Sequence, residues 1–226
     1  HKDIRSYMGS AILEFCRSLV TSSGDRYLRK EAARLGKLCF DTWRSENRSL
    51  PSNDDPLTIV EYVRIYGAAE CLGLQPPGIK WRIMKVAKKF GPREYLGYDP
   101  RVEAPPSNLP DWCECGAVNL PGKKRCERNQ CRARLTWKSP YRTWCLALTS
   151  AYCGERYGVP LGARYRDVLR GLPLMRPYPN SRHVDFYDAI YTVTHIIYTL
   201  NDYGRFRLVP DWLPWEYEFL KRNLKI

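Results

Sequence analysis

The chain has 226 residues, of which 44% are hydrophobic and 27% charged, and its formal net charge is +13 at pH 7. This length supports one core, or one core with a small inserted module. No stretch approaches the ~20 consecutive apolar residues of a membrane span. The basic balance favours an anionic partner, such as nucleic acid, an anionic membrane surface or an acidic substrate, although a solvated basic surface has the same composition.

The first half of the chain, residues 1–97, is predicted to be helical. Apolar residues recur at spacings of three and four at Ile4, Met8, Ile12, Phe15 and Leu19. A second helix is predicted over residues 25–43. A third begins at Asp55-Pro56, where the aspartate can cap free N–H groups, and stops near Gly73. A fourth covers IKWRIMKVAKKF, residues 79–90.

Residues 98–138 are predicted to form a linker followed by a zinc knuckle. The linker, residues 97–111, is rich in Pro, Asp and Asn and is not helical. Four cysteines then follow in the pattern C-x-C-x10-C-x4-C, namely Cys113, Cys115, Cys126 and Cys131. Four thiolates in a short polar loop meet the ligand requirement of tetrahedral Zn²⁺. Because all four ligand positions would be filled by cysteine, none is open for catalysis, and the pattern predicts a structural zinc. Two local disulfides are the alternative.

Part of this loop resembles a known family. Trp112, Cys115, Asn119 and Cys126 match the Trp…Cys-x3-Asn-x6-Cys core of zinc fingers of the Ran-binding-protein type. The resemblance covers about 20 residues, and the C-x-C and C-x4-C pairs depart from the family pattern at both ends. Fingers of that family bind single-stranded RNA or ubiquitin, but these departures mean that their binding residues are not carried over to this chain.

The loop also carries a surplus of basic residues next to aromatic ones. Basic groups next to aromatic rings are suited to binding a phosphate backbone with stacked bases. The alternative is a structural role, in which the cations offset the charge of a four-thiolate zinc centre. The candidate nucleic-acid-binding residues are Lys123, Lys124, Arg125, Arg128, Arg132 and Arg134.

The last part of the chain, residues 139–226, is predicted to be a second helical half that shares one core with the first. Ser139-Pro140 starts a helix that runs to Gly158, a short helix follows near residues 163–169, and Ser181 is predicted to cap a long helix over residues 183–203. The final helix covers residues 215–224. The fold class predicted is therefore all-α, with stacked antiparallel helical hairpins arranged as an α/α toroid, a solenoid or an irregular bundle, and an inserted four-cysteine zinc knuckle.

A polar stripe is predicted along the helix of residues 183–203, away from its apolar face. It has no Lys, Arg or Glu between Asp185 and Asp202, which is unlike an ordinary solvent face. A histidine between carboxylates and phenols can transfer protons, so we interpret the stripe as a candidate catalytic pocket with His195 at its centre. A buried hydrogen-bonded network with no function is the alternative. The stripe consists of Asp188, Tyr191, His195, Tyr198 and Asp202.

Three hypotheses for function follow. The first is a small-molecule enzyme or ligand-binding protein that uses the polar stripe. The second is a nucleic-acid-binding or assembly protein that uses the basic knuckle, and the third is a subunit of a larger complex. No Walker loop, Gly-x-Gly-x-x-Gly, H-E-x-x-H or Gly-x-Ser-x-Gly motif is present.

The remaining cysteines predict the compartment. They lie singly in helix-like stretches, which is typical of buried free thiols and favours a reducing, intracellular setting: the cytoplasm, the nucleus or an organelle after processing. The N-terminal HKDIRSYMGS lacks the features of a signal peptide and begins without Met, so we expect a processed form or a fragment. These five cysteines are Cys16, Cys39, Cys71, Cys145 and Cys153.

Overall fold

The protein is all-α, as the sequence predicts. The computed structural model describes residues 9–47, 56–106, 109–110, 113, 115, 125–128, 130–135 and 137–224. Within these ranges the α-helices are α1 (Gly9–Ser22), α2 (Arg26–Glu46), α3 (Pro56–Cys71), α4 (Ile79–Ala87), α5 (Pro92–Leu96), α6 (Pro140–Tyr157), α7 (Tyr165–Leu169), α8 (Phe186–Leu200) and α9 (Pro214–Asn223). Short 3-10 helices cover Leu172–Met175 and Pro210–Trp212. The two-residue strands β1 (Leu109–Pro110) and β2 (Trp137–Lys138) pair antiparallel.

Helices α3 and α6 form the centre of the molecule. Helix α3 packs against α1, α4 and α6, whereas α6 packs against α3, α7 and α8. Both central helices are buried over most of their length. The main core contains residues from both halves of the chain, such as Ile65 of α3 and Leu148 of α6. A closed toroid or solenoid of hairpins remains a prediction.

The start of α6 follows the capping rules closely. The Ser139 hydroxyl accepts a hydrogen bond from the Arg142 amide at 3.2 Å, and Pro140 occupies the first helical turn. The same hydroxyl donates to Asp188 Oδ2 at 2.6 Å. One cap residue therefore also ties the beginning of α6 to α8.

The predicted helix of residues 183–203 is shorter in the structure, and Ser181 does not cap it. Helix α8 begins at Phe186 and ends at Leu200. In the preceding segment the Asn180 side chain accepts from the Arg182 amide at 3.0 Å, and the Asn180 carbonyl accepts from the His183 amide. This local turn satisfies the backbone before a helix can start.

No helix in the described ranges has both the length and the apolar character needed to cross a bilayer.

Candidate functional site

The four cysteines of the loop come together in space. All four Sγ atoms lie within 4.8 Å of one another, with 3.4 Å between those of Cys113 and Cys131 and 3.6 Å between those of Cys115 and Cys126. Four sulfurs that each bind one Zn²⁺ at about 2.3 Å stand about 3.8 Å apart at the corners of a tetrahedron. The cluster therefore has the dimensions to hold one four-coordinate metal ion.

Short backbone contacts bring the second pair of cysteines into place. The Cys126 amide donates to the Ala133 carbonyl at 2.9 Å, and the Cys131 amide donates to the Arg128 carbonyl at 3.1 Å. Gln130 and Arg132 adopt left-handed backbone conformations, with φ of 78° and 47°. These residues flank Cys131 and turn its side chain back toward the other three sulfurs. We call residues 109–138, closed by the β1–β2 pair, the cysteine module.

In the described part of the module, most of the buried side chains are thiols. In its described residues, Cys113, Cys126 and Leu135 are buried, and Cys115 and Cys131 pack against them. The backbone hydrogen bond from Cys115 lowers the pKa of Cys113, but hydrogen bonds with the Cys131, Cys115 and Cys126 thiols outweigh it and raise the pKa to about 12. A bound cation reverses this preference, because it stabilises the thiolate.

The basic rim of the module is only partly described. Arg125, Arg132 and Arg134 are exposed. Arg128 has a structural contact, because its Nη1 donates to the Cys115 carbonyl at 2.7 Å. Trp112, Asn119, Lys123 and Lys124 lie outside the described residues, so the resemblance to a zinc-finger family stays a prediction.

A groove of about 580 Å³ lies between α1, α3, α6, α8 and the turn that follows α8. Its walls combine apolar surface with hydroxyl, imidazole, guanidinium and carboxylate groups. The lining residues are Ser10, Ala11, Glu14, Phe15, Ser18, Arg64, Leu146, Thr149, Cys153, Tyr191, His195, Tyr198, Asn201, Tyr203 and Gly204.

Three of the five predicted stripe residues, Tyr191, His195 and Tyr198, line this groove. Their spacings of four and three place them on one face of α8. Asp188 and Asp202 are not among the residues that line the groove, and their place in a catalytic pocket stays a prediction. Asp188 accepts from Ser139 at the start of α6. Asp202 lies beyond the end of α8 with φ of 48°, so the helical spacing no longer applies to it.

His195 is held in one orientation by its own helix. Its Nδ1 lies 2.7 Å from the Tyr191 carbonyl oxygen, which can only accept, so Nδ1 carries the proton and Nε2 carries the free lone pair. The imidazole stacks on the Tyr191 ring, with 3.9 Å between centroids. Burial lowers the pKa of His195; the bond to Tyr191 opposes this, and the positive charges of Arg142 and Arg64 lower the pKa further. The imidazole is therefore neutral near pH 7.

Arg64 is a groove residue that the sequence analysis missed. It is half-buried on α3, and its Nη2 lies 3.5 Å from Thr149 Oγ1 and 3.4 Å from Ser150 Oγ. It makes no ion pair with the part of the chain that the structure describes. The sequence feature that could have indicated its role is its position as a single cation between the apolar Val63 and Ile65, in the middle of a buried helix. A charge in such a place calls for a partner.

The carboxylate of Glu14, by contrast, is already paired. It accepts from Arg17 Nε at 2.8 Å and from Arg156 Nη2 at 2.5 Å. Arg17 is only 1% exposed and also approaches Asp202 Oδ1 at 3.4 Å, where the Tyr152 hydroxyl donates as well. The groove wall therefore has one neutralised carboxylate and one cation, Arg64, without a carboxylate among the described residues.

Two other candidate groups do not supply chemistry to the groove. Burial raises the pKa of the Cys153 thiol, and the negative charge of Glu14 adds to this effect, so Cys153 remains protonated and is a poor nucleophile. His183 and Asp185 contact each other through the Asp185 amide and His183 Nδ1 at 3.1 Å, which makes them a local turn outside the groove.

Comparison of the chain with known protein families, with curated proteins and with solved structures finds no match. The chemistry of the cysteine module and of the groove must therefore be inferred from their own residues.

Proposed function

We propose that this protein is a zinc-stabilised helical protein whose groove binds a small anionic molecule. The cysteine module has a structural role in this proposal, and the groove carries the function. Arg64 supplies the positive charge that attracts the ligand, and His195 accepts a hydrogen bond from it. If the bound molecule carries an acidic proton, the same imidazole is placed to accept that proton as a general base.

The observation that carries the proposal is the state of Arg64. A guanidinium has five N–H donors, and the two long contacts to Thr149 and Ser150 both involve Nη2. The donors on Nε and Nη1 have no hydrogen-bond partner among the residues that the structure describes, which leaves them for a ligand. Arginine binds carboxylate and phosphate groups in a bidentate manner, which suits a small anion that enters between α3 and α8.

His195 and the tyrosines complete the proposed binding site. Because Nδ1 donates to the backbone, Nε2 is left as a hydrogen-bond acceptor. This acceptor favours ligands that carry a hydroxyl or amino donor. Tyr198 is 46% exposed, so its ring presents apolar area to a ligand, whereas the Tyr191 ring stacks with His195 and lies 3.9 Å from the Arg142 guanidinium. These features favour a small molecule that combines an anionic group, a hydrogen-bond donor and an apolar part.

Zinc is the metal that best fits the cysteine module. Thiolate ligands favour soft or borderline metals, and a closed set of four thiolates is typical of a structural Zn²⁺ site. In the described part of the module the buried cluster around Leu135 is small, and such limited apolar burial supports a stabilising role for a metal. Elemental analysis of the purified protein is expected to find one zinc per chain, and an iron centre would contradict the assignment.

A thermal-shift screen with small carboxylates and phosphate monoesters tests the groove. A ligand at 100 times its Kd stabilises the folded state by about 2.7 kcal/mol, which corresponds to roughly 5–10 °C for a chain of this size. Arg64→Gln is expected to abolish the shift. Arg29→Gln, at an exposed position on α2, is the matched control and is expected to keep it.

Three results would contradict the proposed ligand site. These are the absence of a shift with every member of the screen, an equal loss of the shift in Arg64→Gln and Arg29→Gln, and a ligand whose shift survives Arg64→Gln. Zinc content and the unliganded melting temperature must match among the three proteins, which separates loss of binding from loss of folding.

The exposed arginines of the cysteine module support a second candidate function, contact with nucleic acid or with a protein partner. Arg125, Arg132 and Arg134 present positive charge on one small module. Reversal of these three charges is expected to weaken binding to a polyanion and to reduce its salt dependence. Unchanged binding in the variant would exclude this candidate.

A further inference from the structure

Helix α4 and the turn after it present an exposed face of cations around one tryptophan. Trp81 is 62% exposed, and Arg82, Lys85 and Lys88 are exposed beside it. At 100° per residue these four side chains fall within an arc of about 120°. The stretch IKWRIMKVAKKF contains no acidic residue. We call these four residues the α4 face.

The cations of the α4 face are free to bind another molecule. Arg82, Lys85 and Lys88 make no ion pair with any part of the chain that the structure describes, and Lys85 Nζ lies 5.6 Å from the centroid of the Trp81 ring. Their neighbour Lys80 differs, since it pairs with Glu70 at 3.0 Å and lies over the Tyr157 ring. One cation of this helix therefore makes contacts within the protein, whereas Arg82, Lys85 and Lys88 point toward the solvent.

The opposite side of α4 is fixed in the core. Ile79, Ile83 and Ala87 are buried, so the helix cannot turn its apolar side outward. An interfacial membrane helix inserts such a side into the lipid, whereas α4 offers a bilayer a single aromatic ring. The α4 face instead exposes one aromatic ring surrounded by positive charge. Proteins bind single-stranded nucleic acids with such surfaces, in which bases stack on the ring and phosphates pair with the cations.

We propose that the α4 face binds single-stranded nucleic acid, with a base stacked on Trp81 and phosphates paired with Arg82, Lys85 and Lys88. The cations recur every three residues, which is about 4.5 Å along the helix, and their long side chains can follow a flexible strand. Single strands are favoured over duplex, because the bases of a duplex are already stacked on each other. This site is separate from the groove and does not depend on the ligand proposed for it.

Fluorescence anisotropy with a labelled single-stranded oligonucleotide of mixed sequence tests the proposal on the full chain. R82E/K85E/K88E is expected to lower the affinity by more than tenfold. Because each phosphate contact contributes about −0.7 to the slope of log K against log salt concentration for single strands, loss of three contacts reduces the slope by about two. Trp81→Ala is expected to weaken binding by about tenfold, and Trp81→Phe to restore most of it, because stacking needs an aromatic ring.

Two triple variants with the same change in net charge make the test specific. R26E/R29E/K30E reverses three exposed cations on α2 and is expected to retain the wild-type affinity and slope. R125E/R132E/R134E reverses the cysteine-module arginines, and its zinc content is measured in parallel. Equal loss in the α2 variant, or loss in the module variant with unchanged binding in the α4 variant, would overturn the proposal.

The choice of probe separates nucleic acid from other anionic surfaces. Vesicles containing phosphatidylserine and a duplex of the same sequence are titrated beside the single strand. Binding that is strongest to the single strand supports the proposal. Stronger binding to vesicles or duplex, or no binding to the oligonucleotide at low salt, would overturn it.

Discussion

The cysteine module and the helical body (α1–α9) are stabilised in different ways. Leu135 is the only residue other than cysteine in the buried cluster of the module's described part. The helical body has a core that extends over α3, α6 and their neighbours, with fully buried side chains as large as Trp144. Apolar burial of that extent stabilises the body directly, whereas we expect the module to depend on the metal proposed for its four cysteines.

The two regions also differ in how they handle buried charge. The module concentrates four thiols at one point, where a single metal cation can bind all four as thiolates. The body instead distributes charge in a network, in which Glu14 lies between Arg17 and Arg156 and Arg17 reaches Asp202. Removal of the metal should therefore affect one region alone, and removal of one charged side chain should affect the other.

The largest effect is expected from loss of a metal ligand. Cys126→Ser or treatment with a strong chelator is expected to unfold the module, because a structural Zn²⁺ contributes about 10–16 kcal/mol in zinc-finger peptides. Trypsin should then cleave within residues 125–134, while the circular dichroism of the helical body changes little. The control is Cys71→Ser, since Cys71 is an exposed cysteine outside the module. Collapse of the whole helical signal on chelation would show that the two regions are not stabilised separately.

Thiol labelling gives a second measurement of the same difference. Cys71 should react before chelation, and Cys113, Cys115, Cys126 and Cys131 only after it. The other cysteines should stay unreactive in both states, because burial raises the pKa of thiols such as Cys145, to about 12. Rapid labelling of the module cysteines without a chelator would argue against a bound metal.

A smaller but still large effect is expected in the charge network of the body. Glu14→Gln leaves Arg156 without an ion-pair partner among the described residues and Arg17 with only its longer contact to Asp202, and an uncompensated buried charge costs about 3–5 kcal/mol. Glu31→Gln is a matched control, because Glu31 also pairs with an arginine three residues later, Arg34 Nε at 2.9 Å, but at the surface. Its loss should cost less than about 0.5 kcal/mol. Urea denaturation of the zinc-loaded proteins measures both values, and equal costs would show that the Glu14 network does not contribute through burial.

The cysteine module could be predicted from sequence because its ligands are close along the chain. The spacing of Cys113, Cys115, Cys126 and Cys131 already limits how far apart their sulfurs can lie, and thiolate chemistry limits what can bind. The helices could be predicted for the same reason. Apolar periodicity and capping residues such as Ser139 are both signals between residues that are close along the chain.

The groove could be predicted only in part, because it depends on contacts between distant segments. Periodicity placed Tyr191, His195 and Tyr198 together on α8, but it could not place α1 and α3 opposite them. Arg64 and Glu14 were missed for this reason. Asp202 does not line the groove, because the backbone leaves the helix before this residue is reached.

The smallest predicted effect concerns His195, the histidine of α8 that lines the groove. Burial lowers the pKa of His195 in the folded protein, so between this value and the ordinary 6.5 the unfolded chain binds the extra proton. The contribution of His195 to stability is therefore complete above pH 6.5 and is lost as the pH falls toward the folded-state pKa. His195→Gln should flatten this part of the stability curve, measured by urea denaturation between pH 7.5 and pH 5.5. A wild-type slope that persists in His195→Gln would show that another group titrates, and His195 would then lose its place as the proton acceptor of the groove.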